Sequence, residues 1–203
     1  MSNAPARHLS RGDKSRTAIL HAAARAIARD GYHGMSMRDL ARATGLGLAT
    51  SYAHFPSKED ILYALQAEAF DALIASAEHA IAGERDAAAK LHAFILNHLR
   101  YFAAHPYLMR VLVQEAGALP SRKRAAIRER KEHYYSIAQP LMEAVAGAGT
   151  RGDEVERETY ALFGMLNWVY GWYEPRRHGP PEALADTFHR IALRGAPGKG
   201  GVS

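Results

Sequence analysis

The densest run of recognition chemistry lies between Ser36 and Lys58, which reads SMRDLARATGLGLATSYAHFPSK. Thr50, Tyr52 and His54 offer hydroxyl and imidazole groups for phosphate oxygens or base edges, and the forked donors of Arg38 match a guanine edge. Leu48 and Ala49 share the short helix that carries Thr50 and Tyr52. Lys58 stands at the start of a further helix, where its ammonium and the helix amides can hold one phosphate. Ser15, Arg16 and Thr17 open the first helix and can hold another. Two short helices flank Gly45, with Leu40 and Ala41 on the inner face of the first. This is the spacing of a helix-turn-helix, whose second helix enters the major groove of DNA. Phe55 reads as packing of the small domain. Tyr52 reads as a phosphate or base contact, with packing as the alternative.

The elements that must hold these side chains are helical throughout. Apolar residues recur at helical spacing, and no stretch alternates like a strand. A first helix is predicted from about Ser15 to Asp30, with Ile19, Leu20, Ala23, Ala26 and Ile27 as its stripe and Gly31 as its stop. Ser36 caps a second helix that ends near Thr44, with Gly45 at the C′ position. A third spans about Leu48 to Phe55, ended by Pro56. Ser57 caps a fourth that reaches Ile81, with Asp60 completing a variant capping box. Further helices are expected at about 86–104, 106–117, 120–145 (kinked at Pro140), 153–174 and 181–193. Gly147, Gly149 and Gly152 mark a loop, and the Gly/Pro-rich tail after Gly195 reads as disordered.

A chain of 203 residues holds one or two domains and buries enough surface to fold without a staple. The absence of cysteine excludes disulfides, thiolate metal sites and a cysteine nucleophile. No apolar run approaches a membrane span, and the N-terminus lacks the apolar core of a signal peptide, so the expected compartment is the cytoplasm. Residues 1–58 carry nine Lys/Arg against three acids, whereas the remainder carries 17 basic against 18 acidic residues. The whole net charge of +5 therefore comes from the first quarter, as expected of an electrostatic footprint for an acidic polymer. A basic tail that aids solubility is the plain alternative. The eleven histidines show no metal spacing, the serines no nucleophile elbow, and no strand precedes a Gly-rich loop. No enzyme, metal site or cofactor is expected.

The run from Ser15 to Leu62 resembles the DNA-binding domain of the TetR family of bacterial repressors. The resemblance rests on Ile19-Leu20, Gly31-Tyr32, Met37 to Ala41, Gly45-Leu46, Ser51-Tyr52, His54-Phe55 and Ser57-Lys58-Glu59. It implies an all-α chain: a flexible arm at 1–14, a DNA-binding domain at 15–60, a helical effector-binding and dimerisation domain at 61–195, and a flexible tail at 196–203. It also implies a homodimer on double-stranded operator DNA, released when an effector moves the two heads apart. Leu48 and Ala53 stand where members often carry a polar or basic residue and an aromatic. Direct readout then leans on thymine methyls and DNA shape.

In the larger domain, TYALFGMLNWVYGWYEP is apolar on nearly every side and should be buried on nearly every side. Ala161, Gly164, Trp168 and Gly171 share a face, and Leu184, Phe188 and Ile191 form a stripe on the last helix. With Trp172, they are the expected dimer interface, as an intermolecular four-helix bundle; one monomeric core is the alternative. Asn167-Trp168, Trp172-Tyr173 and Pro175, with Leu119, Arg130, Tyr134 and Gly152-Asp153, resemble a TetR branch that answers to acyl-coenzyme A thioesters. Glu174 stands where that branch commonly has an arginine. The expected effector lining is Tyr101, Phe102, Leu108, Leu112, Arg130, Tyr134, Phe163, Asn167 and Trp168. The cations from Arg122 to Lys131 are either a phosphate clamp or a solvated face. A sensor of aromatic or cationic drugs is the competing reading, favoured by an acid in the pocket and disfavoured by cations at its mouth.

Overall fold

The computed structural model describes residues 10–115, 117–146 and 150–195, and among these it is all-α, with no strand. The helices are α1 (Arg11–Gly34), α2 (Met37–Thr44), α3 (Leu48–His54), α4 (Lys58–Ala82), α5 (Ala87–Ala104), α6 (Pro106–Gln114), α7 (Ser121–Ala146), α8 (Gly152–Trp168), α9 (Pro175–His178) and α10 (Pro181–Gly195). No helix among the described residues is long and apolar enough to cross a membrane.

Capping chemistry sets most of the boundaries. α1 starts four residues earlier than the periodicity predicts, because Ser10 and Asp13 form a complete capping box. Residues 11–14 are thus helical rather than part of a flexible arm; residues 1–9 of that predicted arm, the loop glycines Gly147 and Gly149, and the predicted tail at 196–203 lie outside the described residues. The backbone breaks at Gly31 (φ 74°), as the sequence predicts, and one further turn of α1 follows. Ser36 and Ser57 cap α2 and α4 through the amides of Asp39 and Asp60, and Asp86 caps α5. Gly45 closes α2 at φ 68°, a left-handed conformation that a β-carbon would strain. α7 runs as one helix through Pro140, which lies on its exposed side.

The predicted eighth helix is shorter than expected. It begins at Gly152, ends at Trp168, and gives way to a 3₁₀ turn over Val169–Gly171. Tyr173 and the extended Glu174 then link it to α9. The glycine at 171 and the proline at 175 weaken helix propagation on either side of this link.

One apolar cluster runs from Ile19 and Leu40 to Leu166 and Phe188. α4 is its spine, packing against α1 at one end and against α5, α6 and α7 along its length. Ile61 and Leu62 are fully buried near its start and Leu73 near its middle. At the centre of α5, Phe94 is fully buried and stacks on Tyr134 of α7, ring centres 5.0 Å apart. α10 lies along α5. This overturns part of the expected dimer surface: Leu184 and Phe188 are buried within the chain and unavailable to a partner. The amphipathic stripe of α10 faces its own α5 instead, where each such side chain contributes about 1.5–3 kcal/mol.

Candidate DNA interface and effector cavity

α2 and α3 meet around Leu40, which is 1% exposed, and Ser51, whose hydroxyl donates to the Gly47 carbonyl at 3.3 Å. Burial of Ser51 turns the opposite face of α3 outward. Leu48, Ala49, Thr50, Tyr52 and Ala53 are all exposed there, Tyr52 at 47%. One hollow of about 780 Å³ collects Arg38, Leu48, Tyr52 and Lys58 with His33 and Ser36. His54 is half-buried at the end of α3. Phe55 is buried, as expected of packing, with the Arg16 guanidinium 5.3 Å from its ring centre. Lys58 opens α4 with its ammonium 4.6 Å from the centre of the Tyr32 ring, a cation–π contact that holds the charge in this hollow. Thr17 is placed differently. It is exposed near the start of α1 and borders a groove formed with Tyr101, His105 and Leu108.

The second site is a partly open cavity of about 370 Å³ walled by α4, α5, α6, α7 and α8, with the exposed Val113, Tyr160 and Gly164 among its lining. Of the predicted effector residues, Phe102, Leu112, Tyr134, Phe163 and Asn167 line it. Four do not. Tyr101 and Leu108 line the groove beside α1, because α5 and α6 turn at His105 and present different faces on each side. Arg130 is held by Asp71 of α4 at 2.8 Å. Trp168 is 63% exposed and lies outside the cavity.

His98 is a buried polar side chain of this cavity, and the sequence pattern places it only among histidines without metal spacing. It is 2% exposed, and its Nδ1 lies 3.1 Å from the Tyr134 hydroxyl. Burial pushes the imidazole down to about 3, opposed only weakly by the Leu166 backbone, so the ring is neutral at physiological pH. Burial also pushes the Tyr134 phenol up, so it keeps its proton. The phenol can donate to Nδ1 or accept from it, and the imidazole tautomer sets which. Nε2 is buried and makes no hydrogen bond of full geometry, with the Leu166 backbone acting on the imidazole as a weaker partner. A buried polar nitrogen without a well-formed hydrogen bond costs up to about 1–3 kcal/mol, which a ligand group of matching polarity would recover. A signal was present in the sequence: a histidine on the apolar stripe of the fifth helix, beside Phe94 and Phe102. No carboxylate lines the cavity, and Lys131 stands in its wall.

The remaining α7 cations are partly engaged. Lys123 pairs with Asp60 at 2.5 Å and Arg128 lies 3.6 Å from Glu132. With Arg130 on Asp71, half of that predicted clamp already has carboxylate partners.

A polar joint links the cavity to the small domain. α6 carries the cavity residues Met109 and Leu112 and ends at Glu115. The Tyr32 amide, just past the Gly31 break, donates to Glu115 Oε1 at 2.9 Å. Gln66 of α4 donates from Nε2 to the Glu115 carbonyl at 3.2 Å. The exposed face of α8, with Ala161, Gly164 and Trp168, is uncovered, as are Gly171, Trp172 and Ile191. The expectation that this helix is buried on nearly every side therefore fails within the single chain.

Comparison with known proteins agrees with this geometry. Residues 84–196 match the family model described as tetracyclin repressor-like, C-terminal domain. Residues 19–65 match the model of bacterial regulatory proteins, tetR family. The fatty acid metabolism regulator protein of Bacillus subtilis (strain 168) is 28% identical over 184 residues, covering 89% of this chain and 95% of its own. The crystal structure of a TetR-family transcriptional regulator from Bordetella parapertussis 12822 superposes with a TM-score of 0.82 at 26% identity, over 88% of this chain and 93% of its own. AibR, crystallised with isovaleryl coenzyme A and operator DNA, shares the fold at a TM-score of 0.76 and 22% identity, over 87% and 97% of the two chains. A short helix pair with its polar face outward, backed by a helical body with a partly open cavity, is the architecture of a non-enzymatic DNA-binding regulator, and the chain belongs to the TetR family of transcriptional repressors.

Proposed function

We propose that this protein holds a palindromic operator as a homodimer and releases it when an acyl-coenzyme A thioester fills the cavity around His98. The observation that carries this reading is the buried Nε2 of His98, which lacks a well-formed hydrogen bond, in a wall made mostly of aromatic and aliphatic side chains. A thioester carbonyl is an acceptor for Nε2 in the tautomer that protonates it, and its acyl chain suits the aromatic lining. The Bacillus relative named for fatty acid metabolism and the isovaleryl coenzyme A bound to AibR support the same chemistry. A cation sensor would place a carboxylate in the cavity; this one has Lys131 and no acid.

In this reading residues 15–60 read DNA and residues 61–195 sense the effector. Arg38, Leu48, Ala49, Thr50, Tyr52, His54 and Lys58 meet the operator, with phosphates positioning the head and base edges specifying the site. Ala161, Gly164, Trp168, Gly171, Trp172 and Ile191 pack against a second copy. Filling the cavity pushes on Met109 and Leu112 of α6, and the Glu115 joint passes the shift to Tyr32 and the head. The working compartment is the cytoplasm, where the acyl donor and the operator are both present.

The test is fluorescence anisotropy on an operator recovered by selection from random duplexes, titrated with acyl-coenzyme A thioesters of graded chain length. Native mass spectrometry reports the oligomer in the same buffer. Release of a bound dimer by a thioester supports the reading. Indifference to every thioester, with release by aromatic cations, overturns it.

A further inference from the structure

Three hollows lie end to end along α5 and α6. The cavity of about 370 Å³ and a small hollow of about 120 Å³, the neck, lie on either side of the buried side chains His98, Phe102 and Met109. The neck shares Pro106 and Tyr170 with an outer groove of about 550 Å³. The inner end is apolar, the neck is narrow, and the outer groove is cationic. Arg25, Arg29 and Arg110 line that groove together with Tyr107 and Tyr170, and no carboxylate does. Arg25 and Arg29 are one turn apart on α1, so they share a face. Arg110 approaches from α6, which packs against α1.

The three guanidiniums are poorly neutralised. Among the described residues Arg25 has no ion pair, and Arg110 donates to the neutral amide of Gln114 at 3.0 Å. Arg29 pairs with its neighbour Asp30, but its side chain is 78% exposed, and such a pair contributes little. Like charges on opposing walls repel each other until an anion sits between them. Planar forks match phosphate oxygens two at a time. Two tyrosine rings beside them offer a stacking surface for a planar base.

We propose that this groove is the head-group site of the effector: Arg25, Arg29 and Arg110 take the phosphates of a nucleotide-bearing thioester whose arm threads the neck and whose acyl chain fills the cavity. The inference rests on the thioester reading above and assigns that ligand's charged end. It also gives the head group a mechanical role. Phosphates bridging α1 and α6 fasten the helix that carries the DNA-reading head to the helix that ends at the Glu115 joint.

The experiment compares three probes by isothermal titration calorimetry on the full chain: octanoyl-coenzyme A, octanoyl-N-acetylcysteamine, which keeps the thioester but lacks phosphates, and coenzyme A without an acyl chain. The wild type is set against the double variant Arg25→Gln, Arg110→Gln, and a thermal melt checks that both are folded. The expected result is that the wild type favours octanoyl-coenzyme A over the truncated thioester by about tenfold or more, and that the variant loses this margin. Affinity for the truncated thioester and for unliganded operator should not change. Equal wild-type affinity for both thioesters, or an unaffected variant, overturns the head-group site and leaves the cavity reading standing. A parallel fall in operator affinity without ligand overturns it too, by making the arginines DNA contacts. Binding of coenzyme A that the variant loses, with no gain from the acyl chain, supports the groove and sinks the cavity reading. No binding of any probe by the wild type overturns both.

Discussion

The DNA-reading head and the effector cavity use polar side chains in opposite ways. In the head the recognition groups face outward: Thr50 and Tyr52 are exposed, while Leu40 and Ser51, its hydroxyl bonded to the Gly47 carbonyl, fill the inside. Water satisfies those groups until DNA replaces it, so the head is complete without a ligand. In the cavity the polar groups face inward. His98 and Tyr134 satisfy each other on one side, and Nε2 of His98 is left without a well-formed hydrogen bond. A surface site can wait in water at little cost, whereas a buried polar nitrogen in that position raises the energy of the empty state and gives a ligand something to recover.

Substitutions can break or sharpen this contrast. The largest effect is expected from Leu40→Ala, which empties a fully packed position between α2 and α1. It should cost about 2–5 kcal/mol in chemical denaturation and abolish operator binding with it. Tyr52→Ala should leave the denaturation midpoint unchanged and weaken binding by about 1–3 kcal/mol, read as the operator Kd. If Tyr52→Ala unfolds the head instead, Tyr52 is a packing residue and the outward-facing description of α3 fails.

The cavity should show itself in acid. The unfolded chain takes up a proton on His98 near pH 6.5, and the folded chain refuses it until about pH 3. Stability attributable to this histidine is therefore present above about pH 6.5 and is lost as pH falls toward 3, at up to about 1.4 kcal/mol per pH unit. His98→Leu should flatten that part of the wild-type acid limb; two superimposable limbs would mean that His98 is hydrated. The smallest effect is expected from Lys58→Ala. Binding should weaken about equally across operator variants, and the salt slope of log K should fall by about one. A change in sequence preference instead would move Lys58 from phosphate to base contact.

Much of the head was legible because its signals are local. Ser36, Gly45 and Ser57 announce their caps within three residues, and the Leu40 and Ala41 stripe needs only one turn to be read. The early start of α1 was equally local, since Ser10 and Asp13 stand three apart, but it lay outside the apolar stripe. The cavity was legible in part. Phe102, Leu112, Tyr134, Phe163 and Asn167 converge as their composition suggested, whereas Tyr101 and Leu108 turn away at His105. The cations of α7 looked like a cluster in one dimension, yet Asp60, Asp71 and Glu132 draw three of them off.

The sequence by itself determined the helical class, the caps, the helix-turn-helix and the cationic first quarter, because periodicity, capping and charge act over one or two turns. Only the tertiary structure decided that α10 covers its own α5, that His98 is buried with one nitrogen lacking a well-formed hydrogen bond, that Glu115 reaches back to Tyr32, and that Arg25, Arg29 and Arg110 share a groove. Those outcomes depend on contacts between residues as far as 94 positions apart, as His92 of α5 and Asp186 of α10 are. Which partner a side chain meets at that distance is set by how whole helices pack, and local spacing carries little information about it.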